Sequence, residues 1–319
     1  MADKPLVIVT ETLDARPARW LEERVQLQWC RHDQPEFPGL LARAQGLVVR
    51  TYTQVNATLL AQAPVLKVVG RAGVGLDNID VPACRHRGVE VVYTPDANTQ
   101  AVVEYVLGLM LDALRPRTNL PAGASAQQFH SLRQTEVGRQ LDELTLGVLG
   151  FGRIGKRIGQ VAHAIGMKVL VNDLLPESQL RKAVDYPFAY VAKAELYQGS
   201  DILTVHVDGR PQNRHLIEAA VLGQLKPACL FINAARGMLV DNAALAAWAA
   251  KAASTGGRAI LDVHEPEPPP PDYPLNGLPN VRLLPHLASR TDRALENMSW
   301  VVRDVLAVLE GARPQFPAP

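Results

Sequence analysis

The sequence predicts an α/β protein made of two doubly wound parallel-sheet domains, Rossmann-like or flavodoxin-like, with an interdomain cleft. Short apolar runs alternate with helical patterns along the whole chain, as expected for strands joined by crossover helices. The length of 319 residues allows two domains of ordinary size. A hydrophobic share of 47% and a charged share of 20% are typical of a globular protein, not of a disordered or coiled-coil chain.

The charge balance excludes several classes of partner. Lys and Arg number 33 and Asp and Glu number 32, and this near neutrality disfavours nucleic acid as a ligand. The sequence contains neither a run of ~18 apolar residues nor a signal-peptide core, so we expect no membrane contact. Cys30, Cys84 and Cys229 are far apart, which suits a reducing cytoplasm and predicts no metal site. A cytoplasmic protein that acts on a small molecule is the expectation.

The first part of the chain predicts one parallel sheet followed by a long helix. Strands are predicted at Leu6–Val9, Val25–Trp29, Gly46–Val49, Leu66–Val69 and Val89–Val92, with helices at Ala15–Glu23 and Asn56–Ala63. A longer helix is predicted over Thr99–Arg115, because its apolar residues follow three-and-four spacing. The polar segment Pro116–Gly138 has weak periodicity, and we expect it to form an arm that reaches a partner subunit.

The alternation restarts after residue 143 and predicts a second sheet. Strands are predicted at Leu144–Leu149, Lys168–Val171, Ile202–Val205, Cys229–Asn233, Ala259–Val263 and Val281–Leu284. Helices are predicted at Arg153–Ile165, Glu218–Leu225, Asn242–Ala253 and, as a single amphipathic helix, from Thr291 to Glu310. The proline-rich stretch Pro266–Pro271 predicts an extended loop.

The segment Gly150-Phe151-Gly152-Arg153-Ile154-Gly155 fits the pattern G-x-G-x-x-G. It follows a predicted strand and opens a predicted helix, and Asp173 ends the next strand, which is the context that dinucleotide binding requires. Asp173 can accept hydrogen bonds from the adenosine ribose and would repel a 2′-phosphate, so NAD is predicted in preference to NADP. The alternative is a glycine-rich turn in a fold that binds no nucleotide, with Asp173 as a helix cap.

Three further segments place ionisable side chains directly after predicted strands. They are Phe231–Gly237 with Arg236, Leu261–Pro268 with a carboxylate, and Leu284–Ser289 with His286. Ligands of open α/β sheets bind beyond the carboxyl ends of the strands, so we expect these groups to meet there. The arginine suits an anion, and a carboxylate beside a histidine stabilises imidazolium and favours proton transfer near neutral pH.

Together with Val69–Asp80, which reads VGRAGVGLDNID, these motifs resemble the D-isomer-specific 2-hydroxyacid dehydrogenase family over essentially the whole chain. The resemblance implies that Arg236, Glu265 and His286 are the catalytic residues. It also implies an NAD-dependent oxidoreductase that transfers a hydride between nicotinamide and C2 of a D-2-hydroxy acid or 2-keto acid. From the glycine motif and the resemblance together, the residues expected to contact NAD are Gly150, Gly152, Arg153, Ile154, Gly155, Asp173, Val74, His206, Val207, Ala234, Ala235, Asp262 and His286.

Within the family, the similarity is closest to the enzymes that oxidise 3-phosphoglycerate. This implies that an anionic substrate is bound by Arg50, Arg71, Gly73, Val74, Gly75 and Arg236. Two converging guanidinium groups suit a dianion, whereas the alternative for Arg50 and Arg71 is a surface ion pair. A glyoxylate or hydroxypyruvate reductase remains an alternative enzyme, and an NAD(H)-sensing protein like the corepressors of this fold remains an alternative of another class.

The resemblance also implies the domain limits and the assembly. Residues 1–97 and 287–319 are expected to form the substrate domain, and residues 98–286 the NAD-binding domain. A homodimer is expected, although the arm lacks the tryptophan usual in the family. The loop after His206 departs from the family pattern, since Val207-Asp208-Gly209 stands where Pro and Leu are usual. No regulatory domain is expected after Pro319.

Overall fold

The apolar runs of the sequence form the strands of two sheets in the structure, a computed structural model that describes residues 4–319. The strands are β1 (Leu6–Val9), β2 (Gln26–Trp29), β3 (Gly46–Val49), β4 (Val68–Arg71), β5 (Glu90–Tyr93), β6 (Thr145–Leu149), β7 (Lys168–Asn172), β8 (Ala189–Tyr190), β9 (Ile202–Val205), β10 (Leu230–Asn233), β11 (Arg258–Leu261) and β12 (Val281–Leu283). Every pairing between these strands is parallel, so each connection must cross over the sheet.

Helices connect the strands and cover the sheets. They are α1 (Ala15–Glu22), α2 (Phe37–Leu41), α3 (Ala57–Ala61), α4 (Val81–His86), α5 (Thr99–Leu114), α6 (Ala126–Thr135), α7 (Arg153–Ala164), α8 (Glu177–Lys182), α9 (Lys193–Gly199), α10 (Ala219–Leu222), α11 (Asn242–Ala252), α12 (Asp292–Ser299) and α13 (Val302–Leu309). Over residues 4–319, none of the helices has the length and apolar character that a membrane span requires.

The chain divides into two units, which are described separately. One consists of the described residues up to Asn98 together with Ser289–Pro319, and the other is Thr99–Ala288. The first unit contains the sheet of order β2-β1-β3-β4-β5, and the second contains the sheet of order β12-β11-β10-β9-β6-β7-β8. The predicted class of two parallel-sheet α/β domains is confirmed, while the functions assigned to the two units stay predictions at this point.

Both faces of each sheet are buried. In the first unit, Leu47 and Val49 lie in one hydrophobic cluster, whereas Val48 lies in the cluster on the opposite face. In the second unit, Phe231 and Ile232 likewise belong to different clusters. Because successive side chains of a strand point to opposite faces, a continuous apolar run is what a sheet covered on both sides needs.

The two sheets each have one point at which the strand order reverses. In the first unit the chain starts at β1 and continues to β2 on one side and to β3 on the other. In the second unit it starts at β6, with β7 on one side and β9 on the other. Ligands of doubly wound sheets bind beside such a reversal, because the loops that follow the two strands diverge there.

One expectation about the helices is wrong. The single helix predicted from Thr291 to Glu310 is divided into α12 and α13. The hydroxyl of Ser299 donates to the carbonyl of Leu295 at 2.7 Å, a contact that competes with the helix ladder and bends helices. The polar arm, for which no helix was predicted, contains α6, which begins with a capping box between Ser125 and Gln128.

Candidate active site

The turn between β6 and α7 holds the predicted dinucleotide motif. Gly150 has a φ of 92°, and a Cβ there would lie 2.8 Å from the carbonyl of His206. A Cβ at Gly155 would lie 2.2 Å from the carbonyl oxygen of Gly150. Gly152, in contrast, has no atom within 4 Å of its Cβ position, and its helix begins without a side-chain cap. The turn is thus tight on its protein side and open where backbone N–H groups can receive a phosphate.

Asp173 follows β7 and lies beside this turn. Its Oδ2 accepts a hydrogen bond from the N–H of Phe151 at 2.6 Å, and its Oδ1 accepts from the N–H of Leu175 at 2.8 Å. The hydroxyl of Tyr190 donates to the carbonyl of Asp173 at 3.0 Å. The carboxylate predicted to select NAD therefore also fixes the glycine turn. Arg153 is exposed and Ile154 partly buried in the first turn of α7.

His206 directly follows β9, on the other side of the strand reversal. Its N–H donates to the carbonyl of Leu149 at 2.8 Å, and its Nε2 lies 3.0 Å from the Oγ1 of Thr204. Burial of the imidazole lowers the pKa of His206 to about 4, so the ring is neutral at physiological pH. Val207 packs against the glycine turn, with Cγ1 2.8 Å from the Cβ position of Gly150.

The loop after Val207 carries the departure from the family pattern. Arg210 Nε donates to Asp208 Oδ1 at 2.7 Å, and a second guanidinium nitrogen contacts the other carboxylate oxygen. Asn213 Nδ2 donates to the backbone carbonyl of Asp208 at 3.0 Å. The hydrogen bond from Arg210 is the main reason that the pKa of Asp208 is lowered, despite partial burial. The loop is therefore fixed by its own ion pair.

Arg236 lies in the loop after β10. Its Nη1 donates to the carbonyl of Ala235 at 2.7 Å, and its own carbonyl accepts from Asn233 Nδ2 at 2.8 Å. Ala234 and Ala235 are partly buried. A Cβ at Gly237 would lie 1.9 Å from the carbonyl oxygen of His264, so this loop packs directly on the segment after β11.

The ring of His286, three residues after β12, is held by a carboxylate other than the predicted one. His286 Nδ1 lies 2.7 Å from Glu267 Oε1. Glu265 is engaged elsewhere, since its Oε1 accepts from Arg214 Nη1 at 2.7 Å. The predicted pairing of Glu265 with His286 is therefore wrong. After β11 the chain turns back so that Glu267 Oε2 lies 3.4 Å from the N–H of His264, and this return brings Glu267 to the imidazole.

The electrostatics of Glu267 follow from this geometry. Burial by itself would raise the pKa of Glu267, but the hydrogen bond and the charge of His286, with the N–H of His264, lower it overall. The carboxylate is therefore ionised near neutral pH and acts only as an acceptor. His286 has a φ of 57°, which is uncommon for a residue other than glycine and is concentrated at functional sites.

Asp262 directly follows β11 and holds the backbone beside His286. It is 1% exposed, and its two carboxylate oxygens accept from the N–H groups of Leu287 at 2.9 Å and Ala288 at 2.8 Å. The hydroxyl of Tyr105 in α5 also donates to Asp262, at 3.2 Å. Burial of the phenol and, secondly, the charge of Asp262 raise the pKa of Tyr105 to about 12. The hydroxyl therefore stays protonated and can donate its hydrogen bond. The sequence did not identify Tyr105 as part of this site. Contact of Asp262 with NAD stays a prediction.

In the first unit, Arg50 begins the loop after β3. Glu11, which follows β1 after one residue, accepts hydrogen bonds from the N–H groups of four consecutive residues. The distances to Glu11 Oε1 are 3.1 Å for Arg50, 3.1 Å for Tyr52 and 3.2 Å for Thr53, and Thr51 lies 2.9 Å from Oε2. Burial opposes ionisation of Glu11, but the four N–H groups lower its pKa overall. Sequence reasoning missed this role, because one acidic residue after a strand is an ordinary feature.

Arg71, at the end of β4, lies opposite Val49 in the sheet register. Its Nη1 is 3.3 Å from the carbonyl of Ala72. Gly73 has a φ of 152°, and a Cβ there would lie 1.3 Å from Arg71 Nη1, so the guanidinium covers this glycine. Val74 and Gly75 follow and are partly exposed. Contact of these residues with a substrate stays a prediction.

Comparison with known proteins identifies the family of the chain. Residues 107–288 match the model for "D-isomer specific 2-hydroxyacid dehydrogenase, NAD binding domain". D-3-phosphoglycerate dehydrogenase of Mycobacterium tuberculosis is 37% identical over 314 residues, which cover 95% of this chain and 57% of that protein. The chain thus spans little more than half the length of this relative. (S)-sulfolactate dehydrogenase of Chromohalobacter salexigens is 37% identical over 316 residues, covering 96% of this chain and 99% of that enzyme.

Two solved structures also superpose on nearly the whole chain. A protein from Thermus thermophilus superposes with a TM-score of 0.83 at 30% identity, covering 98% of this chain and 100% of that one. An NADPH-dependent glyoxylate/hydroxypyruvate reductase from Sinorhizobium meliloti, solved with NADP and malonate, superposes with a TM-score of 0.80 at 28% identity, covering 99% of this chain and 97% of that one.

The open position of Gly152 leads to a test of dinucleotide binding. Gly152→Ala should leave the thermal stability unchanged, because nothing lies within 4 Å of the new Cβ and the backbone there is extended. It should weaken NADH binding at least ~10-fold, because the methyl group occupies the space next to the pyrophosphate. Isothermal titration calorimetry measures both affinities. Gly108→Ala, at a second open glycine, is the matched control; equal NADH affinity in the two variants contradicts the placement.

The hydrogen bonds of Glu11 predict a pH-dependent contribution to stability. The folded-state pKa of Glu11 lies below the usual value of 4.5, so its carboxylate stabilises the fold above that pH. This contribution disappears as the pH falls through the folded-state pKa. Glu11→Gln should therefore cost about 2 kcal/mol at pH 7, and the difference from the native protein should shrink towards pH 3. Thermal unfolding between pH 3 and 7 measures it, with the exposed Glu22→Gln as control; a difference independent of pH argues against the ionic role.

Proposed function

The chain belongs to the D-isomer specific 2-hydroxyacid dehydrogenase family, and on this premise we propose that it transfers a hydride between NAD and C2 of 3-phosphoglycerate. One observation carries the proposal, namely the imidazole of His286 held by Glu267 at 2.7 Å after a strand of the matched NAD-binding domain. A histidine oriented by a carboxylate is the arrangement that oxidation of a hydroxyl requires, because the hydroxyl proton must leave with the hydride.

The ionised carboxylate of Glu267 determines which nitrogen of His286 reacts. Because the carboxylate is an acceptor only, Nδ1 carries the proton and Nε2 keeps a free lone pair. In the oxidation direction, Nε2 accepts the proton of the C2 hydroxyl, and Glu267 stabilises the resulting imidazolium. In the reduction direction, Nε2–H of the imidazolium donates the proton to the carbonyl oxygen. Arg236 is proposed to bind the substrate carboxylate through its guanidinium group.

The residues of the glycine turn fit NAD. The open face at Gly152 and the uncapped start of α7 can receive the pyrophosphate, and Asp173 lies where a ribose diol can be bound. Val74, His206, Val207, Ala234, Ala235 and Asp262 are proposed to complete the cofactor site. Bound NAD supplies the acceptor for the C2 hydride in oxidation. The carboxylate of Asp173 disfavours a 2′-phosphate, which supports NAD over NADP.

The proposed substrate carries a second anionic group. Arg50 directly follows β3 and Arg71 is the last residue of the neighbouring strand β4, and two guanidinium groups suit a phosphate. The relatives named for 3-phosphoglycerate and for (S)-sulfolactate both act on an acid with such a group, according to their names. Under the priority rules that assign R and S, the CH₂–SO₃ substituent at C2 of sulfolactate has a higher priority than the carboxyl group, because sulfur has a higher atomic number than oxygen. (S)-Sulfolactate therefore has the same spatial arrangement at C2 as D-3-phosphoglycerate, and the same active site suits either substrate.

Two alternative functions predict different behaviour towards 2-keto acids. A glyoxylate or hydroxypyruvate reductase, as in the Sinorhizobium meliloti neighbour, would act on substrates without a second anion. An NAD(H)-sensing binding protein would bind NADH without turnover of any 2-keto acid. The Glu267–His286 pair favours an enzyme, because a sensor needs no oriented acid–base group.

We also propose that the protein is a cytoplasmic homodimer. Helix α6 buries none of its residues; Phe129 within it is 46% exposed, and Leu120 and Val137 on either side of it are 52% and 78% exposed. Such apolar exposure on an arm favours contact with a second copy. The three free cysteines suit a reducing compartment. A monomer in sedimentation equilibrium at micromolar concentration contradicts the dimer.

A panel of 2-keto acids tests the function. NADH oxidation should be fastest, by kcat/KM, with phosphohydroxypyruvate or sulfopyruvate and at least ~10-fold slower with hydroxypyruvate, glyoxylate and pyruvate, because only the first two offer a second charge-assisted contact. NADPH should replace NADH poorly. A preference for glyoxylate identifies the reductase alternative, and tight NADH binding without turnover identifies the sensor.

The two glutamates near His286 provide the sharpest mutational test. Glu267→Gln should lower kcat by about 10²-fold with the Kd of NADH unchanged, because the substitution removes the charge that stabilises imidazolium. Glu265→Gln should change kcat less than ~3-fold, since its partner Arg214 is a half-exposed surface residue. Steady-state kinetics and NADH titration measure both. A larger loss from Glu265→Gln than from Glu267→Gln would refute the assignment.

A further inference from the structure

His264 is buried directly beside the Glu267–His286 pair. It is 6% exposed and lies in the segment that follows β11. Its backbone N–H lies 3.4 Å from Glu267 Oε2, while Oε1 of the same carboxylate lies 2.7 Å from His286 Nδ1. One carboxylate therefore contacts both the backbone of His264 and the ring of His286.

The imidazole of His264 connects this segment to the chain that leads to His286. Its Nε2 lies 2.7 Å from the carbonyl oxygen of Leu284, the residue that directly follows β12. Because a carbonyl oxygen can only accept, Nε2 carries a proton and is the donor. The distance is that of a well-formed hydrogen bond. The side chain of His264 thus bridges the ends of β11 and β12.

Packing alone does not account for a histidine at position 264. The ring meets the ring of Tyr273 edge-on, with the centroids 5.7 Å apart and an angle of 87° between the planes. Its Nδ1 is buried, and among residues 4–319 no group forms a hydrogen bond with it. An apolar ring would make the same edge contact without burying an unpaired nitrogen, which costs free energy. The hydrogen bond from Nε2 to Leu284 is the contact that requires a polar side chain.

The segment that contains His264 is itself anchored to α11. Asn242 Nδ2 donates to the carbonyl of Glu265 at 2.9 Å, and Asn242 Oδ1 accepts from the hydroxyl of Tyr273 at 2.9 Å. A Cβ at Gly237 would lie 1.9 Å from the carbonyl oxygen of His264, so the loop after β10 packs against the same segment. The place from which the imidazole reaches the end of β12 is therefore fixed.

His286 lies between two side-chain contacts to the backbone. Asp262 accepts from the N–H groups of the two residues that follow His286, at 2.9 and 2.8 Å. His264 donates to the carbonyl of Leu284, on the other side of His286 along the chain. Between these contacts His286 has its φ of 57°, a conformation that persists only where the surroundings hold it.

We propose that His264 is a positioning residue, whose hydrogen bond to Leu284 determines where the imidazole of His286 meets Glu267. The inference rests on the proposed function, in which Glu267 orients the imidazole that exchanges a proton with the substrate. Without this bond the chain before His286 is freer to move, while the segment after β11 stays anchored to α11. The imidazole and the carboxylate then meet less often in the productive geometry, and misplacement of a reacting group lowers the rate.

Variants that remove or keep the hydrogen bond test the proposal. His264→Phe keeps a ring beside Tyr273 and should lower kcat about 10-fold, with the Kd of NADH and the KM of the 2-keto acid within ~2-fold, because the lost bond acts on the acid–base pair and on neither ligand. His264→Asn should do the same, since its amide is too short to reach Leu284. The longer amide of His264→Gln should restore kcat to within ~3-fold of the native value. His163→Phe, beside the ring of Tyr186, is the control and should change nothing.

A double variant distinguishes positioning from a general structural role. If His264 acts through Glu267, its effect should disappear once the carboxylate is gone. Adding His264→Phe to Glu267→Gln should therefore lower kcat by less than ~2-fold, because the losses of residues that act as a unit are not additive. A further loss of the full ~10-fold in this background would show that His264 acts elsewhere and would overturn the proposal.

A measurement without substrate separates this proposal from the proposed function. The tautomer of the neutral His286 ring is read by NMR in protein labelled with ¹⁵N-histidine. The proton should lie on Nδ1 in the native protein and in His264→Gln, and should be shared with Nε2 in His264→Phe. This change in a protein that reduces none of the 2-keto acids would uphold the role of His264 and refute the proposed function. An unchanged tautomer or, in an active enzyme, an unchanged kcat in His264→Phe would overturn the role of His264.

Discussion

The same interaction fixes three loops of this protein. A carboxylate that follows one strand accepts hydrogen bonds from backbone N–H groups of the loop that follows the neighbouring strand. Glu11 after β1 holds the loop after β3, Asp173 after β7 holds the glycine turn after β6, and Asp262 after β11 holds the residues after β12. Each loop otherwise ends a strand with unpaired N–H groups, which are costly when buried. Neighbouring parallel strands end at the same edge of the sheet, so each carboxylate has to span only the distance between two adjacent strands.

One consequence is that the side chains proposed to act in the reaction lie on backbone segments that other residues hold in place. His286 is the clearest case, since Asp262 fixes the chain after it and Glu267 orients its ring. Its left-handed backbone conformation costs free energy, and the hydrogen bonds of Asp262 offset that cost. In the other unit Glu11 likewise holds the backbone of Arg50, whose guanidinium Nη1 lies 3.4 Å from Thr12 Oγ1. Preorganisation of this kind lowers the entropy lost on binding.

The sequence predicted the fold class and the strand ends well, because apolar runs and the glycine motif are local signals. It did not distinguish Glu265 from Glu267, since both precede a proline in the same loop and only the return of the chain to His264 decides between them. It missed Tyr105, which lies between Glu104 and Val106 in α5 and whose role depends on contact with a residue far along the chain. Contacts between segments distant in sequence leave no periodic pattern, so they had to be read from the structure.

The tautomer of His286 tests the central claim most directly. In protein labelled with ¹⁵N-histidine, the signals of His286 are assigned by their loss in His286→Gln. For the neutral ring, the account predicts a proton on Nδ1 and a free lone pair on Nε2. It also predicts that Glu267→Ala changes this tautomer and Glu265→Ala does not. A proton on Nε2 in the native protein, or a response to Glu265→Ala alone, would contradict the account.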